Sequence, residues 1–226
     1  DYRAQSHAVQ RLHQLFGNAG TRHLDLACGT GPHVRHFLDA GFQSGGLDIN
    51  QPMLDKAAIR CPEAHFAVQD MCAFHLDEPV DLITCFLYSL HYSATVERLA
   101  ACIARVHGAL RPGGLFCFNT VDRTRIDNRL FAAHTVDVDE GRFTFSSGWH
   151  YSGAGERQSL RLRIEKTAGD ETLIWNDEHP MVAVSFAELE ALLQPHFELH
   201  VLAHDYQRIL PIGLGAGNAL FACVKR

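Results

Sequence analysis

The stretch HLDLACGTG, His23 to Gly31, is followed by Pro32 and governs the reading of everything around it. Leu24 and Leu26 alternate with polar residues and run straight into small ones, Ala27, Cys28, Gly29 and Gly31. That order describes a strand, a tight turn and the opening of a helix. Glycine tolerates positive φ and carries no Cβ, so a ligand can lie close against such a turn. Proline suits the first helical turn, where its missing N–H costs nothing. The free N–H groups of a helix start face whatever lies across the junction. The segment reads as a cradle for a nucleotide or nucleoside. An ordinary strand-to-helix turn would use the same residues, so the neighbouring segments decide.

Upstream, Tyr2 to Phe16 carries Ala8, Leu12, Leu15 and Phe16 at helical spacing, and Gly17-Asn18 ends the helix. Downstream, the helix from Pro32 turns Val34, Phe37 and Leu38 inward and stops at Ala40-Gly41. Its His33 and His36 are expected to face solvent. Phe42 to Ile49 reads as a second strand ending in Leu47-Asp48-Ile49-Asn50, with Asp48 placed 17 residues after Gly31. An acid ending the second strand of a βαβ unit commonly accepts hydrogen bonds from ribose hydroxyls. Two carboxylate oxygens suit a vicinal diol. Asn50, or Gln51 before Pro52, caps a helix over Met53 to Arg60.

Ala64 to Val68 is a short third strand closing in Gln69-Asp70-Met71. Pro79 to Phe86 is nearly continuously apolar, the pattern of a central parallel strand buried on both faces. It runs out through Cys85-Phe86 into Leu87-Tyr88-Ser89-Leu90-His91-Tyr92, at the edge where ligands of open α/β sheets sit. Ser93 is expected to begin a helix that continues to Leu110, and Arg111-Pro112-Gly113-Gly114 turns into a fifth strand at Leu115 to Asn119. Alternation of strand and helix to this point implies a doubly wound parallel sheet. Residues 141–184 then read as antiparallel strands, with turns at Gly153-Ala154-Gly155 and Ala168-Gly169-Asp170. Ser185 and Glu188 form a capping box for one more helix, and strands follow at Phe197 to Ala203 and Asn218 to Val224.

With 226 residues, 46% of them hydrophobic, one sizeable core is the default, and the whole of 1–226 reads as a single domain. A net charge of −6 argues against a broad nucleic-acid face. No run approaches a membrane span and no signal segment opens the sequence. The 7 cysteines are scattered, odd in number and set in apolar runs, which suits free thiols in a reducing, cytoplasmic compartment. His196, His200 and His204 recur every four residues, but along a strand successive members stand roughly 13 Å apart, too far to share one metal ion.

Assembled in this order, the motifs make the chain resemble the class I S-adenosylmethionine-dependent methyltransferases over about Asp1 to Asn119, and the final strand pair fits that fold too. The family's acidic-x-Gly-x-Gly-x-Gly motif stands here as Asp25 to Gly31, with Ala27 replacing the first glycine. Asp48 matches the ribose-binding acid, Asp70-Met71 the pair flanking adenine, and Arg111 to Gly114 the turn before the fifth strand. The resemblance implies a Rossmann-like, doubly wound, mainly parallel seven-stranded sheet with an antiparallel insertion after the fifth strand. It also implies that S-adenosylmethionine contacts Asp25, Ala27, Gly29, Gly31, Asp48, Ile49, Asp70, Met71, Cys85 and Phe86. The chain looks more closely like small-molecule N-methyltransferases of the glycine and nucleotide-sugar kinds. These share the insertion and carry a histidine shortly after the fourth strand, the place of His91. They also carry a tyrosine-bearing segment ahead of the helix that here begins near Tyr2; this sequence opens at Asp1, so that part of the lid has no residues to assign to it.

Methyl transfer from a sulfonium is an in-line displacement that rests on positioning and desolvation. It needs neither a metal nor a covalent nucleophile. A base helps when the acceptor is a protonated amine or a hydroxyl, and His91 is the candidate, since imidazole titrates near neutrality. Tyr88 and Tyr92 are candidates to close the methyl pocket, and Trp149, His150 and Tyr151 to roof the acceptor side built by 141–184. Packing alone would also account for each. The expected activity is methyl transfer to a small molecule, at an amine nitrogen. A nicotinamide-dependent oxidoreductase shares the glycine turn and the ribose acid, although Val34 stands where its third glycine belongs. A cofactor-binding regulatory module without chemistry also keeps the cradle.

Overall fold

A strand that is apolar on both faces must be covered on both, and β4 (Val80–Cys85) is buried at every position. The computed structural model describes residues 1–129 and 131–226. Around β4 the chain runs α1 (Tyr2–Phe16), β1 (Arg22–Leu26), α2 (Pro32–Asp39), β2 (Gln43–Asp48), α3 (Gln51–Arg60) and β3 (Phe66–Val68) before it, then α4 (Val96–Ala109) and β5 (Leu110–Val121) after it. Four further strands follow, β6 (Phe131–Val138), β7 (Gly141–Tyr151), β8 (Arg157–Ala168) and β9 (Glu171–Val182). They precede α5 (Phe186–Leu193), β10 (Phe197–Ala203) and β11 (Asn218–Lys225). Among the described residues the central sheet has the order β3-β2-β1-β4-β5-β11-β10. Its first five strands are mutually parallel, whereas β11 and β10 are antiparallel to their neighbours.

Local chemistry sets the boundaries. The Asn50 side chain accepts the Met53 N–H to start α3, and Ser185 with Glu188 forms the full capping box of α5. The helix expected from Ser93 begins instead at Val96, capped by Thr95. Ser93 instead closes a 3-10 turn over Ser89–Ser93, where its hydroxyl donates to the Leu90 carbonyl at 2.8 Å. Two glycines let β2 pass through crowded space: a Cβ on Gly46 would stand 2.6 Å from the Cys28 sulfur, and one on Gly45 2.6 Å from the His65 carbonyl oxygen. Among the described residues no helix is long and apolar enough to cross a membrane.

The antiparallel region is a sheet of its own, ordered β6-β7-β8-β9. It starts ten residues earlier than 141–184, because Phe131–Val138 pairs with β7. In the sequence this strand shows weak alternation, with Ala132 and Ala133 adjacent. The chain leaves and re-enters the main body side by side: the Arg123 N–H donates to the Val184 carbonyl at 3.1 Å.

His91 pins the two sheets together. Its Nε2 accepts the Val121 N–H at 3.3 Å and faces the Thr120 hydroxyl at 2.9 Å, so its proton sits on Nδ1, 2.9 Å from the Val182 carbonyl. One imidazole thus joins the Ser89–Ser93 turn to β5 and β9. Burial lowers its pKa to about 4, against the weaker pull of the Val182 carbonyl. The reading of His91 as a base for the acceptor is therefore corrected: it is 2% exposed, with both ring nitrogens committed to β5 and β9.

Two outcomes follow for stability. Gly46→Ala should destabilise the fold by about 1–3 kcal/mol. Gly108→Ala, on an open helix face, should stabilise it by up to about 1 kcal/mol; denaturant titration of both variants checks the contrast. Burial also lowers His23, to about 3, and both imidazoles are protonated near 6.5 once the chain unfolds. Below about 6.5 the unfolded state binds the extra protons, so unfolding free energy falls as pH drops toward about 4. His91→Asn should flatten that slope in urea titrations at stepped pH, and an unchanged slope would mean that His91 is not buried neutral.

Candidate functional site

At the carboxyl ends of β1, β2 and β4 the chain walls a cavity of about 570 Å³. Its floor is the glycine turn. Ala27, Gly29 and Gly31 all take positive φ, at 52°, 53° and 74°. Gly29 has open space where a side chain would be, apart from the Met53 sulfur at 3.6 Å, and it lines the cavity. Gly31 does not: a Cβ there would meet the Ala57 Cβ at 3.1 Å, so this glycine serves the packing of the turn against α3.

Asp48 fixes the turn. One carboxylate oxygen accepts the Gly29 N–H at 2.8 Å, and the other accepts the Asn50 N–H at 2.9 Å. A carboxylate has about four acceptor positions, so two remain for a ligand in the cavity. Ile49 stands exposed on the rim beside it. Asp70 and Met71 close the same side. The Asp70 carboxyl is held below the usual carboxylate range, first by the Cys72 N–H and then by the Arg98 guanidinium at 2.6 Å.

Asp25 occupies the opposite wall at the end of a directed hydrogen-bond chain. The Thr84 hydroxyl donates to Asp25 at 2.6 Å, which leaves its oxygen to accept His23 Nε2–H at 2.8 Å. His23 Nδ1 then accepts the Ser44 hydroxyl at 2.7 Å. His33 lies beside Asp25, at 3.6 Å from its second oxygen, and reaches Gln5 of α1 at 2.9 Å. The expectation that His33 faces solvent is thus corrected: it is buried and lines the cavity. Its position in the helical turn opening from the cradle was the available signal.

Beyond β4, Phe86 lines the cavity while Cys85 is sealed inside the sheet, where burial pushes its thiol well up. Leu87 and Tyr88 both adopt left-handed backbone, with φ of 55° and 61°, which is unusual outside glycine. The strained pair is locked by Asn119, which accepts the Tyr88 N–H at 3.1 Å, and by Asn218, which accepts the Tyr88 hydroxyl at 3.1 Å. Tyr88 and Trp149 therefore lie outside the cavity wall, packed edge to face with centroids 5.1 Å apart. They begin an arc of rings that continues through His204, Tyr206 and Phe86 to His33 and Tyr2. Tyr151 also lies outside: its hydroxyl donates to the Gly155 carbonyl and Arg123 covers its ring. Of the five candidate acceptor residues Tyr88, Tyr92, Trp149, His150 and Tyr151, Tyr92 lines the cavity, and its hydroxyl meets His179 of β9. Arg98 and Met53 also line the cavity, and no motif marks either in the sequence.

Residues 24–114 match the family described as a methyltransferase domain. The chain is 29% identical over 157 residues to dTDP-3-amino-3,4,6-trideoxy-alpha-D-glucopyranose N,N-dimethyltransferase of Streptomyces venezuelae, covering 64% of this chain and 66% of that protein. It is 36% identical over 92 residues to dTDP-4-amino-2,3,4,6-tetradeoxy-D-glucose N,N-dimethyltransferase of Saccharopolyspora spinosa, covering 41% and 37%. The matches thus span less than two thirds of either relative. Among solved structures, CalS10, an amino pentose methyltransferase from Micromonospora echinaspora with S-adenosylmethionine bound, superposes with a TM-score of 0.84 at 20% identity, covering 100% of this chain and 92% of that one. The matched stretch includes both the glycine turn and Asp48. Residues 24–114 are thus similar to a methyltransferase domain, and the whole chain shares its fold with CalS10.

Proposed function

We propose that the chain transfers a methyl group from S-adenosylmethionine to an amine nitrogen of a small molecule. Asp48 carries the reading: a carboxylate bonded to both sides of the glycine turn, with acceptor capacity left over toward the cavity, suits the ribose diol of a nucleoside. Asp70, beside Met71 and oriented by Arg98, would accept from an adenine amino group. Asp25 and His33 supply polar partners for an amino-acid end at the other wall. The donor supplies an electrophilic methyl on a sulfonium. Phe86 and Leu87 would exclude water from that end, which strengthens every charge interaction there.

The likeness to two amino-sugar N,N-dimethyltransferases supports an amine as acceptor. The insertion sheet, held against the site by His91 and Trp149, would form the acceptor wall and make 1–226 one working domain. The cysteines are all free and buried, which suits a cytoplasmic setting.

Calorimetric titration with S-adenosylhomocysteine tests the donor site. The wild-type chain should bind, and Asp48→Ala should weaken binding by roughly 1.5–3 kcal/mol, measured below the melting transition of the variant, which loses the two turn-holding bonds as well. Binding of NAD in its place, or no effect of the substitution, would overturn the assignment. Mass spectrometry of dTDP-linked amino sugars incubated with donor and protein then reads the acceptor, with one or two added methyl groups expected.

A further inference from the structure

Tyr92, His179 and Asp177 form an uninterrupted hydrogen-bonded line from the cavity wall toward solvent. Tyr92 stands in the cavity wall on the Ser89–Ser93 turn. Its hydroxyl meets His179 Nδ1, and His179 Nε2 lies 3.1 Å from the Asp177 carboxylate. His179 and Asp177 are two residues apart on β9 and so share one face of the strand. A carboxylate only accepts, so Nε2 carries the imidazole proton and Nδ1 is left to accept from the Tyr92 O–H. Having donated its hydrogen, the Tyr92 oxygen keeps acceptor capacity of its own.

We propose that this line carries the proton an amine acceptor must lose before it can be methylated; the inference rests on the amine reading given above. A primary or secondary amine is largely an ammonium at neutral pH, and its nitrogen has no lone pair to attack with. As one N–H bond of the ammonium breaks, its proton passes to the Tyr92 oxygen while the Tyr92 O–H proton passes to His179 Nδ1. Tyr92 is neutral before and after. The imidazolium formed is stabilised by Asp177. The freed lone pair forms the C–N bond, and the electrons of the breaking C–S bond stay on sulfur. His179, with 32% of its side chain exposed, then releases the proton to water.

The neighbouring charges fit this direction of transfer. Asp177 is the anion beside the line, while Arg98 on α4, which shares the cavity wall, is engaged by Asp70. Glu178 faces the other side of the sheet, bonded to Ser159 and Arg161, and across β8 the residue opposite His179 is the uncharged Leu160. Burial and Asp177 both raise the Tyr92 pKa, so the hydroxyl shuttles a proton and does not rest as a tyrosinate. His91, one residue away, is sealed from the cavity and cannot take this part.

The alternative role for these three side chains is a latch between the sheets, and His179→Gln separates the two. Glutamine still offers Tyr92 a hydrogen-bond acceptor but cannot take up a proton. With a dTDP-linked amino sugar as probe, His179→Gln and Tyr92→Phe should each lower kcat by about 10²-fold. S-adenosylhomocysteine affinity and melting temperature should stay close to wild type. The acid limb of the wild-type kcat profile should disappear in His179→Gln. An unchanged kcat and pH profile in that variant would overturn the relay in favour of the latch. Separately, 15N spectra of histidine-labelled protein should show His179 as the Nε2–H tautomer, perturbed by Tyr92→Phe; an Nδ1–H tautomer would overturn it without any turnover. If the wild type binds S-adenosylhomocysteine but methylates no amino sugar, the amine reading fails while the spectra still decide the hydrogen-bonded line.

Discussion

Two backbone N–H groups converging on one carboxylate hold this site in shape. Gly29 and Asn50 belong to different strand-to-helix turns, and Asp48 bonds to both. Charge-assisted bonds of this kind are stronger than neutral ones and cost more to break in a partly buried place. They offset the conformational expense of a turn in which Ala27, a residue with a Cβ, is held at positive φ. On the opposite wall Asp25 is fixed by donors handed across three strands, from Ser44 through His23 and Thr84. The direction of each bond is set, because every acceptor in the line has already committed its proton. Both carboxylates therefore meet the cavity in fixed orientations before any ligand arrives, which is the preorganisation that binding and catalysis exploit.

Two histidines close together at the joint between the sheets have opposite characters. His91 is enclosed, neutral and bonded to main-chain atoms of β5 and β9, so its task is to fasten the insertion. His179 is partly exposed and bonded to the side chains of Tyr92 and Asp177. Burial sets His91 apart, making its charged form costly and lowering its pKa to about 4.

Most of the fold was legible because periodicity and punctuation agreed. The Pro79-to-Phe86 run and the glycine turn could be placed from residue type alone, and so could the capping box at Ser185. The strand at Phe131–Val138 lacked that agreement, since an edge strand of a half-exposed sheet needs little apolar alternation. At the site, Asp25, Ala27, Gly29, Asp48, Ile49, Asp70, Met71 and Phe86 line the cavity. Motif spacing could not distinguish Gly31, which packs, from Gly29, which faces the cavity. Nor could it foresee that Tyr92 rather than His91 would line the cavity. That choice depends on the left-handed backbone at Leu87 and Tyr88 and on Asn119 and Asn218, which lie far away in the sequence.

The four-stranded sheet leaves the main body after Asp122 and returns at Val184, with the two connections bonded to each other through Arg123. A segment whose ends lie side by side can lengthen, shorten or be replaced without re-threading the seven-stranded core. The residues that wall the cavity all precede that segment, between Tyr2 and Arg98. Insertions, deletions or replacements confined to that contiguous stretch therefore alter the second sheet while leaving the walls of the cavity in place.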